Sequence, residues 1–224
     1  MLQPNTLQFM RELRENNNRD WFDIHRKRYQ TAKEDLEQFV TEVINQLGHF
    51  DGSIAMQTPK DCMFRINRDV RFAKDKSPYK TCLSFSINKG GKKDQGASYY
   101  VQIEPDGRSF IAGGLYMPMP PALKQVRTEI AYAPDEFIQI VENEEFIHYF
   151  NKVEVPGHKA VKVPNGFDVN NIAADYLKLK GYIAAHNVED AFFTNQNAAE
   201  NVAQILAKTK PLIQFINRAF EVID

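Results

Sequence analysis

The sequence predicts an α+β fold in which an antiparallel sheet of about four to six strands packs against N-terminal and C-terminal helices. Apolar residues recur at helical spacing through about the first 50 residues and again after residue 120. Between about residues 60 and 116 they alternate instead with polar residues, which is typical of strands. No repeat, low-complexity segment or long linker interrupts the chain, so residues 1–224 are interpreted as one domain.

The N-terminal part is predicted to contain two helices. The first covers residues 5–15, and the second runs from about Trp21 to Leu47. Asp20 is the expected N-cap of the second helix, and Gly48 its expected terminator. The apolar positions expected to face the core are Leu7, Met10, Leu13, Phe22, Tyr29, Leu36 and Val43.

The middle of the chain is predicted to form the sheet. Residues 62–72, "CMFRINRDVRF", alternate as a strand would, with a bulge or the strand's end at Arg68. A second strand is expected in residues 81–88, "TCLSFSIN". Two more are expected in residues 98–116, on either side of a Pro-Asp-Gly turn. Together these segments predict an antiparallel meander of about four strands.

After residue 120 the pattern becomes helical again. A helix is expected to begin at the prolines of "PPALKQVRTEI", and residues 134–150 are predicted to form one helix or two short ones. Residues 173–188 indicate a short helix that a strand could follow. The tail, from about Asn197 to Val222, is predicted to be a long amphipathic helix that Pro211 kinks or splits.

Composition and motifs argue against several classes of protein. Lys and Arg number 28 against 29 Asp and Glu, so the net charge of −1 gives no bias toward nucleic acid or an anionic membrane. No apolar run reaches the length of a membrane span, and the N-terminus lacks the apolar core of a secretory signal. We therefore expect a cytoplasmic protein in which Cys62 and Cys82 are reduced. The five histidines are scattered and no phosphate-binding loop is present, so no metal and no cofactor is expected.

The stretch "NRDVRFAKDKSPYK", residues 67–80, concentrates five cationic side chains and two aspartates around a Ser-Pro-Tyr turn. The side chains that alternation places on one strand face are Arg65, Asn67, Asp69 and Arg71. Burying unpaired ions is costly, so such a face must be solvated, internally paired or shaped to meet a polar ligand. We interpret it as a candidate site for a small ligand that bears a phosphate or a carboxylate.

In this interpretation Arg65 and Arg71 form a fork-like clamp for the anion, since guanidinium groups match the geometry of carboxylates and phosphates. Lys76, Lys80 or Tyr79 would close over the bound ligand. The neutral charge of the whole chain means that any attraction for an anion has to come from this local cluster.

Asp69 would orient an arginine or act as a base, but no nucleophile is identified, so no reaction is predicted. A second candidate is the pair Gly113 and Gly114, which permits close backbone approach before a helix whose N-terminus would favour an anion. Its alternative is a strand-to-helix turn that requires small residues. The candidate ligand-binding residues are Arg65, Asn67, Arg68, Asp69, Arg71, Lys76, Tyr79, Lys80, Gly113 and Gly114.

Two other functions remain as alternatives. In the first, the domain is structural or binds protein partners, and the charged motif only stabilises a hairpin through surface pairs worth about 0–1 kcal/mol each. In the second, which the charge balance disfavours, Tyr79 and the lysines of residues 89–93 bind nucleic acid, and binding would weaken steeply with salt.

Four segments occur in this chain in one order: "NNNRDWFDIHRKRY", "FRINRDVRFAKDKSPYK", "AGGLYMP" and "YLKLKGY". The series resembles the family Domain of Unknown Function 2461, from about Thr6 to Phe220. The resemblance implies a shared single-domain fold and carries no activity, substrate or catalytic residue. The positions that match the family's signature are Trp21, Arg65, Asn67, Arg68, Asp69, Arg71, Phe72, Lys76, Pro78, Tyr79, Lys80, Gly113 and Gly114.

Overall fold

A computed structural model describes residues 1–221 and confirms the α+β class. Over these residues the chain forms eleven α-helices and one four-stranded antiparallel sheet. The helices are α1 (Pro4–Glu15), α2 (Arg19–Ile24), α3 (Arg26–Phe50), α4 (Pro59–Cys62), α5 (Pro120–Tyr132), α6 (Pro134–Val141), α7 (Glu144–Phe150), α8 (Ala174–Leu177), α9 (Asp190–Thr194), α10 (Ala198–Lys208) and α11 (Lys210–Arg218). The strands are β1 (Leu83–Ile87), β2 (Ser98–Ile103), β3 (Ser109–Leu115) and β4 (Tyr182–Val188).

The N-terminal helices differ from the prediction in how they begin and end. The single helix expected from Trp21 is divided into α2 and α3 at His25, whose φ of −99° and ψ of 15° depart from helical values and whose N–H bonds the carbonyls of both Asp23 and Trp21. Asn18, rather than Asp20, caps α2 by accepting a hydrogen bond from the Trp21 N–H. Gly48 does not end α3, because it lacks the positive φ of a terminating glycine.

The strand expected over residues 62–72 is wrong. Cys62 ends the short helix α4, and the residues after it form only isolated bridges, among them one between Asn67 and Tyr79. From Asp69 onward side chains compete with strand pairing, because Asp69 accepts a hydrogen bond from the Arg71 N–H and Asp75 accepts one from the Ser77 N–H. Such local bonds favour turns over a continuous strand.

The other strand predictions fare better. The order β1-β2-β3-β4 follows the chain, and the strand considered in residues 173–188 is present as β4. Strand β2 alternates between buried and half-buried side chains as expected. In β1 the serines expected to face outward, Ser84 and Ser86, are buried together with the apolar positions. The polar face of the sheet is therefore covered along this strand.

The C-terminal predictions are largely confirmed. Residues 134–150 form two short helices, α6 and α7. Pro211 lies in the first turn of α11, and the helix expected from Asn197 is split at Thr209. Its expected end at Val222 lies outside the described residues. In the part of the chain that the structure describes, no helix is both long enough and apolar enough to cross a membrane.

The chain divides into two compact units whose segments interleave in sequence. The first comprises Met1–Lys92, Tyr100–Ile111 and Asn187–Gln204, and the second comprises Lys93–Tyr99, Ala112–His186 and the segment from Ile205 onward. In the first unit Phe39 of α3 packs against Phe85 of β1 and Phe193 of α9, with ring centroids 6.5 and 6.0 Å apart. In the second, the Phe137 ring lies 5.2 Å from that of Phe215 and 6.0 Å from that of Tyr182. Each unit thus has an aromatic core of its own.

Candidate functional site

The charged motif forms a closed loop in the first unit. The Arg68 N–H donates to the Pro78 carbonyl at 2.9 Å, and the Lys80 N–H donates to the Ile66 carbonyl at 2.8 Å. These two bonds flank the bridge between Asn67 and Tyr79. Residues 68–78, which we name the motif loop, therefore begin and end beside each other, where the two backbone segments are paired.

Arg68 and Asp75 hold the motif loop from inside. The Arg68 guanidinium donates to the Asp75 carboxylate at 2.5 Å and to the Ser77 carbonyl at 3.1 Å. Asp75 also accepts from the N–H and the hydroxyl of Ser77, at 2.9 and 2.6 Å. The Ser77 bonds and the Arg68 guanidinium hold the pKa of Asp75 well below its usual 3.8. The loop's own hydrogen bonds thus occupy the Arg68 side chain.

Two further candidate cations are bonded within the same loop. Arg71 makes a bidentate pair with Asp69, at 2.9 and 2.7 Å, and these bonds lower the pKa of Asp69. The Lys76 ammonium donates to the Val70 carbonyl at 2.9 Å. At the tip, the Phe72 side chain is 96% exposed beside the Arg71 guanidinium. The motif loop is therefore a stapled structure that presents one aromatic ring to solvent.

Tyr79 anchors the motif loop to the N-terminal helices. Its ring is buried and stacks on Phe22, with centroids 4.0 Å apart and planes inclined by 18°. Its backbone N–H and carbonyl bond the side-chain amide of Asn17, at 3.0 and 2.9 Å. Sequence reasoning missed Asn17, because its "NNN" run indicates only a break between two helices.

Arg65 and Lys80 differ from Arg68, Arg71 and Lys76, which are bonded within the motif loop. Within residues 1–221 neither side chain forms an ion pair, although the ammonium of Lys80 lies 5.2 Å from the centre of the Phe64 ring. Burial lowers the pKa of Lys80, and the neighbouring positive charge of Arg65 lowers it further. Arg65 also contributes, after Arg71, to the lowered pKa of Asp69. Two close cations thus remain without a bonded counter-ion.

Polar and aromatic side chains from β2 and β3 lie beside these cations. Glu104 accepts hydrogen bonds from the Thr81 hydroxyl and the Gln102 amide, each at 3.0 Å, and pairs with Arg108 at 3.1 Å. The Tyr100 hydroxyl donates to the Gln102 carbonyl oxygen at 3.1 Å. We name this surface the Lys80 face, and its members are Phe64, Arg65, Lys80, Tyr100, Gln102, Glu104 and Phe110.

The charges of Glu104 and Lys80 both act on Cys82, but its thiol is a poor nucleophile. Burial, followed by the negative charge of Glu104, raises the pKa of the Cys82 thiol to about 11, so the thiol is protonated at neutral pH. Burial also raises the pKa of Cys62 to about 11, and both cysteines are free. Neither thiol is therefore a ready nucleophile at neutral pH.

The glycines of the second candidate lie in the second unit and are buried. A Cβ atom on Gly113 would lie 2.0 Å from the hydroxyl oxygen of Thr209. One on Gly114, whose φ is +131°, would lie 1.9 Å from the Tyr182 carbonyl oxygen. The space that these glycines leave is thus filled by the protein's own atoms, the Thr209 side chain that precedes α11 and the backbone of β4.

Other features of the described chain do not add to the site. A surface groove of about 450 Å³ in the first unit is lined by Glu34, Glu37, Gln38, Thr41, Thr58, Pro59 and Lys60. No candidate residue of the motif lines it. In residues 1–221, no three or more His, Cys, Asp or Glu side chains gather closely enough to hold a metal ion.

The hydrogen bonds that Asp75 makes with Ser77 and Arg68 predict that its carboxylate titrates at an unusually low pH. Because the folded-state pKa of Asp75 is depressed, its bonds to Ser77 and Arg68 stabilise the loop above the ordinary aspartate pKa of 3.8 and are lost as the pH falls through the lower folded value. In two-dimensional NMR spectra the Ser77 amide resonance should therefore move with a midpoint below pH 3.8. Asp75→Asn, which has no carboxylate to titrate at this position, is the control. A midpoint of the Ser77 resonance at or above pH 3.8 would contradict these hydrogen bonds of Asp75.

Comparison with known proteins gives one result. A family model described as conserved hypothetical protein (DUF2461) matches residues 5–215. The match includes both the motif loop and the Lys80 face. Searches among curated proteins and among solved structures found no match.

Proposed function

The chain belongs to DUF2461, a family of conserved hypothetical proteins, and from that premise we propose that it binds a small ligand bearing a phosphate or a carboxylate at the Lys80 face. Arg65 and Lys80 bind the anion in this proposal. The observation that carries it is the pair of neighbouring cations without a bonded counter-ion.

The electrostatics of the pair support an anionic ligand. Burial removes part of the water around the Lys80 ammonium, which makes its protonated form less favourable. The positive charge of Arg65 makes that form less favourable still. An anion placed between the two cations would replace the lost hydration with charge-assisted hydrogen bonds. Binding would therefore favour the protonated form of Lys80 and raise its pKa.

The remaining candidate cations have a supporting part. Arg68, Arg71 and Lys76 already bond groups within the motif loop, so an anion would have to compete with those groups. The loop begins two residues after Ile66 and ends two residues before Lys80, so its internal bonds restrict the backbone that carries Arg65 and Lys80. Its role in this proposal is positioning.

A thermal-shift titration tests the proposal. The protein is heated with phosphate, sulfate, citrate or sugar phosphates, each in low and in moderate salt. Binding to the native state alone, at about 100 times Kd, stabilises by about 2.7 kcal/mol. For a chain of this size that corresponds to a rise in Tm of about 5–11 °C. We expect a saturable rise for one class of anion in the wild type and its loss in Lys80→Gln and Arg65→Gln.

Arg71→Ala serves as the matched control for this titration. Its guanidinium is exposed at the loop tip and paired with Asp69, so its removal deletes a cation of the same motif away from the Lys80 face. The ligand-induced shift should persist in this variant. No saturable shift for any anion in the wild type, or an equal shift in Lys80→Gln, would refute the proposal.

A second function is favoured by one specific observation, the exposure of Phe72. An almost fully exposed aromatic ring on a loop held by internal bonds is suited to contact with a protein partner, because aromatic and arginine side chains dominate many interfaces. In that case the charged motif is structural. Arg71→Ala and Lys80→Ala would then lower Tm, and no anion would raise it.

A further inference from the structure

An aromatic row adjoins the two cations of the Lys80 face. The Lys80 ammonium lies 5.2 Å from the Phe64 ring centre, the Phe64 and Tyr100 centroids are 6.3 Å apart, and those of Tyr100 and Phe110 are 5.6 Å apart. The row is therefore continuous from the ammonium to β3. All of its members belong to the first unit.

The row is not needed to fill the hydrophobic core. The alternate positions of β2 and β3 do that, since Val101, Ile103 and Ile111 are fully buried. Phe64 keeps 37% of its surface exposed, and Tyr100 and Phe110 are half-buried. Rings that remain partly exposed along a polar sheet face offer π surfaces on which a flat group can stack.

The polar side chains along the row suit the edge of a heteroaromatic ring. Gln102 accepts from the Tyr100 hydroxyl and donates to Glu104, so its amide is held in one orientation with a second N–H still to donate. The Tyr100 hydroxyl and the Gln102 amide thus lie together beside the ring surfaces. Groups of this kind can bond the ring nitrogens and carbonyls of a base.

On this geometry, and resting on the proposed anion site, we infer that the ligand is a planar heteroaromatic group joined to a phosphate or carboxylate, of the nucleoside monophosphate class. Its anionic group binds Arg65 and Lys80, and its ring stacks on one ring of the row Phe64, Tyr100 and Phe110 and contacts the next, since neighbouring rings of the row are inclined by 54° and 36°. An anion without a ring would use only one end of the Lys80 face.

Calorimetric titration of the wild-type protein with matched probes tests the inference. Ribose 5-phosphate carries the phosphate alone, and the monophosphates of adenosine, guanosine, cytidine and uridine add a ring to the same phosphate. Stacking of one base should tighten Kd by about 5- to 100-fold over ribose 5-phosphate. Phe110→Leu should reduce that advantage, and Phe72→Leu, a matched change outside the Lys80 face, should leave it unchanged.

The outcomes of this titration distinguish the inferred ring site from the proposed anion site on which it rests. If ribose 5-phosphate binds and every ring-bearing probe binds within about threefold of it, well below the gain that stacking provides, the ring site is overturned and the anion site stands. If neither ribose 5-phosphate nor any nucleotide binds while inorganic phosphate does, the ligand class is wrong. If no anion of any kind binds, the proposed function fails and the inference fails with it.

Discussion

Replacing Gly114 with alanine should lower the free energy of unfolding by about 3–5 kcal/mol, the sum of a strained backbone and an unrelieved overlap. The φ of Gly114 is +131°, a conformation that alanine rarely adopts. The added Cβ would also lie 1.9 Å from the Tyr182 carbonyl oxygen, which belongs to the backbone of β4 and cannot rotate away as a side chain would. Chemical denaturation of the purified variant measures the effect.

Gly157 provides the matched control for this substitution. Its φ of +76° is also positive, but a Cβ added there would meet no atom within 4 Å. Gly157→Ala should therefore show only the backbone part of the cost, about 1–2 kcal/mol. Equal losses for the two variants would mean that the contact with β4 contributes nothing. A loss below about 1 kcal/mol for Gly114→Ala would mean that the backbone at residue 114 relaxes as well, since movement of β4 alone would leave the cost of the positive φ.

The two glycines also show how far a local pattern can predict structure. The sequence alone indicates that Gly113 and Gly114 permit close approach. It does not indicate what approaches, because Thr209 and Tyr182 are distant in the chain and are brought near by the fold. A tightly packed contact and a ligand site both require small residues, so the sequence alone does not distinguish them.

The helical parts of the fold were predictable because their signals are local. Apolar spacing and the prolines at helix starts correctly give α1, α5 and the division of the tail at Thr209. The division at His25 was not predictable, since it is a departure of a single residue's backbone from helical φ and ψ. Hydrophobic periodicity continues across such a break without a change.

The strand expected over residues 62–72 failed for a related reason. Alternation of apolar and polar residues favours a strand, but Asp69 and Asp75 bond nearby backbone groups and favour turns. Phe64 and Phe72, which this alternation sets opposite the polar face, are both exposed. Where two local signals conflict, hydrogen bonding with other segments determines the local structure. Hydrophobic periodicity carries no information about that pairing.

For the candidate site, the sequence predicted the cluster of charges but not its internal division. The aspartates that pair with Arg68 and Arg71 lie within a few residues of them, yet the same spacing also allows both arginines to be free. What distinguishes Lys80 is its half-burial over Phe64, which follows from the path of the motif loop. The proposed anion site thus contains fewer cations than the sequence pattern that first indicated it.

Replacing Tyr79 with alanine should be the most damaging single change in the motif, with a loss of about 3–5 kcal/mol of unfolding free energy, as for other buried aromatic rings. The ring is 6% exposed and stacks on Phe22, so its removal leaves a cavity between the motif loop and α2. Tyr79→Phe keeps the ring and deletes a hydroxyl that makes no hydrogen bond within residues 1–221, so it should cost no more than about 0.5 kcal/mol. Thermal and chemical denaturation of the two variants measure the difference.

The same pair of variants separates an anchoring role for Tyr79 from a binding role. If Tyr79 closes over a ligand through its hydroxyl, Tyr79→Phe weakens anion binding and leaves stability unchanged. If it only anchors the loop, Tyr79→Phe binds as the wild type does, and Asn17→Ala, which removes the amide that holds the Tyr79 backbone, lowers stability in the same direction as Tyr79→Ala. Burial of the ring and the stack on Phe22 favour the anchor, because a side chain held on the core side of the loop cannot reach an anion at Lys80 without giving up that contact.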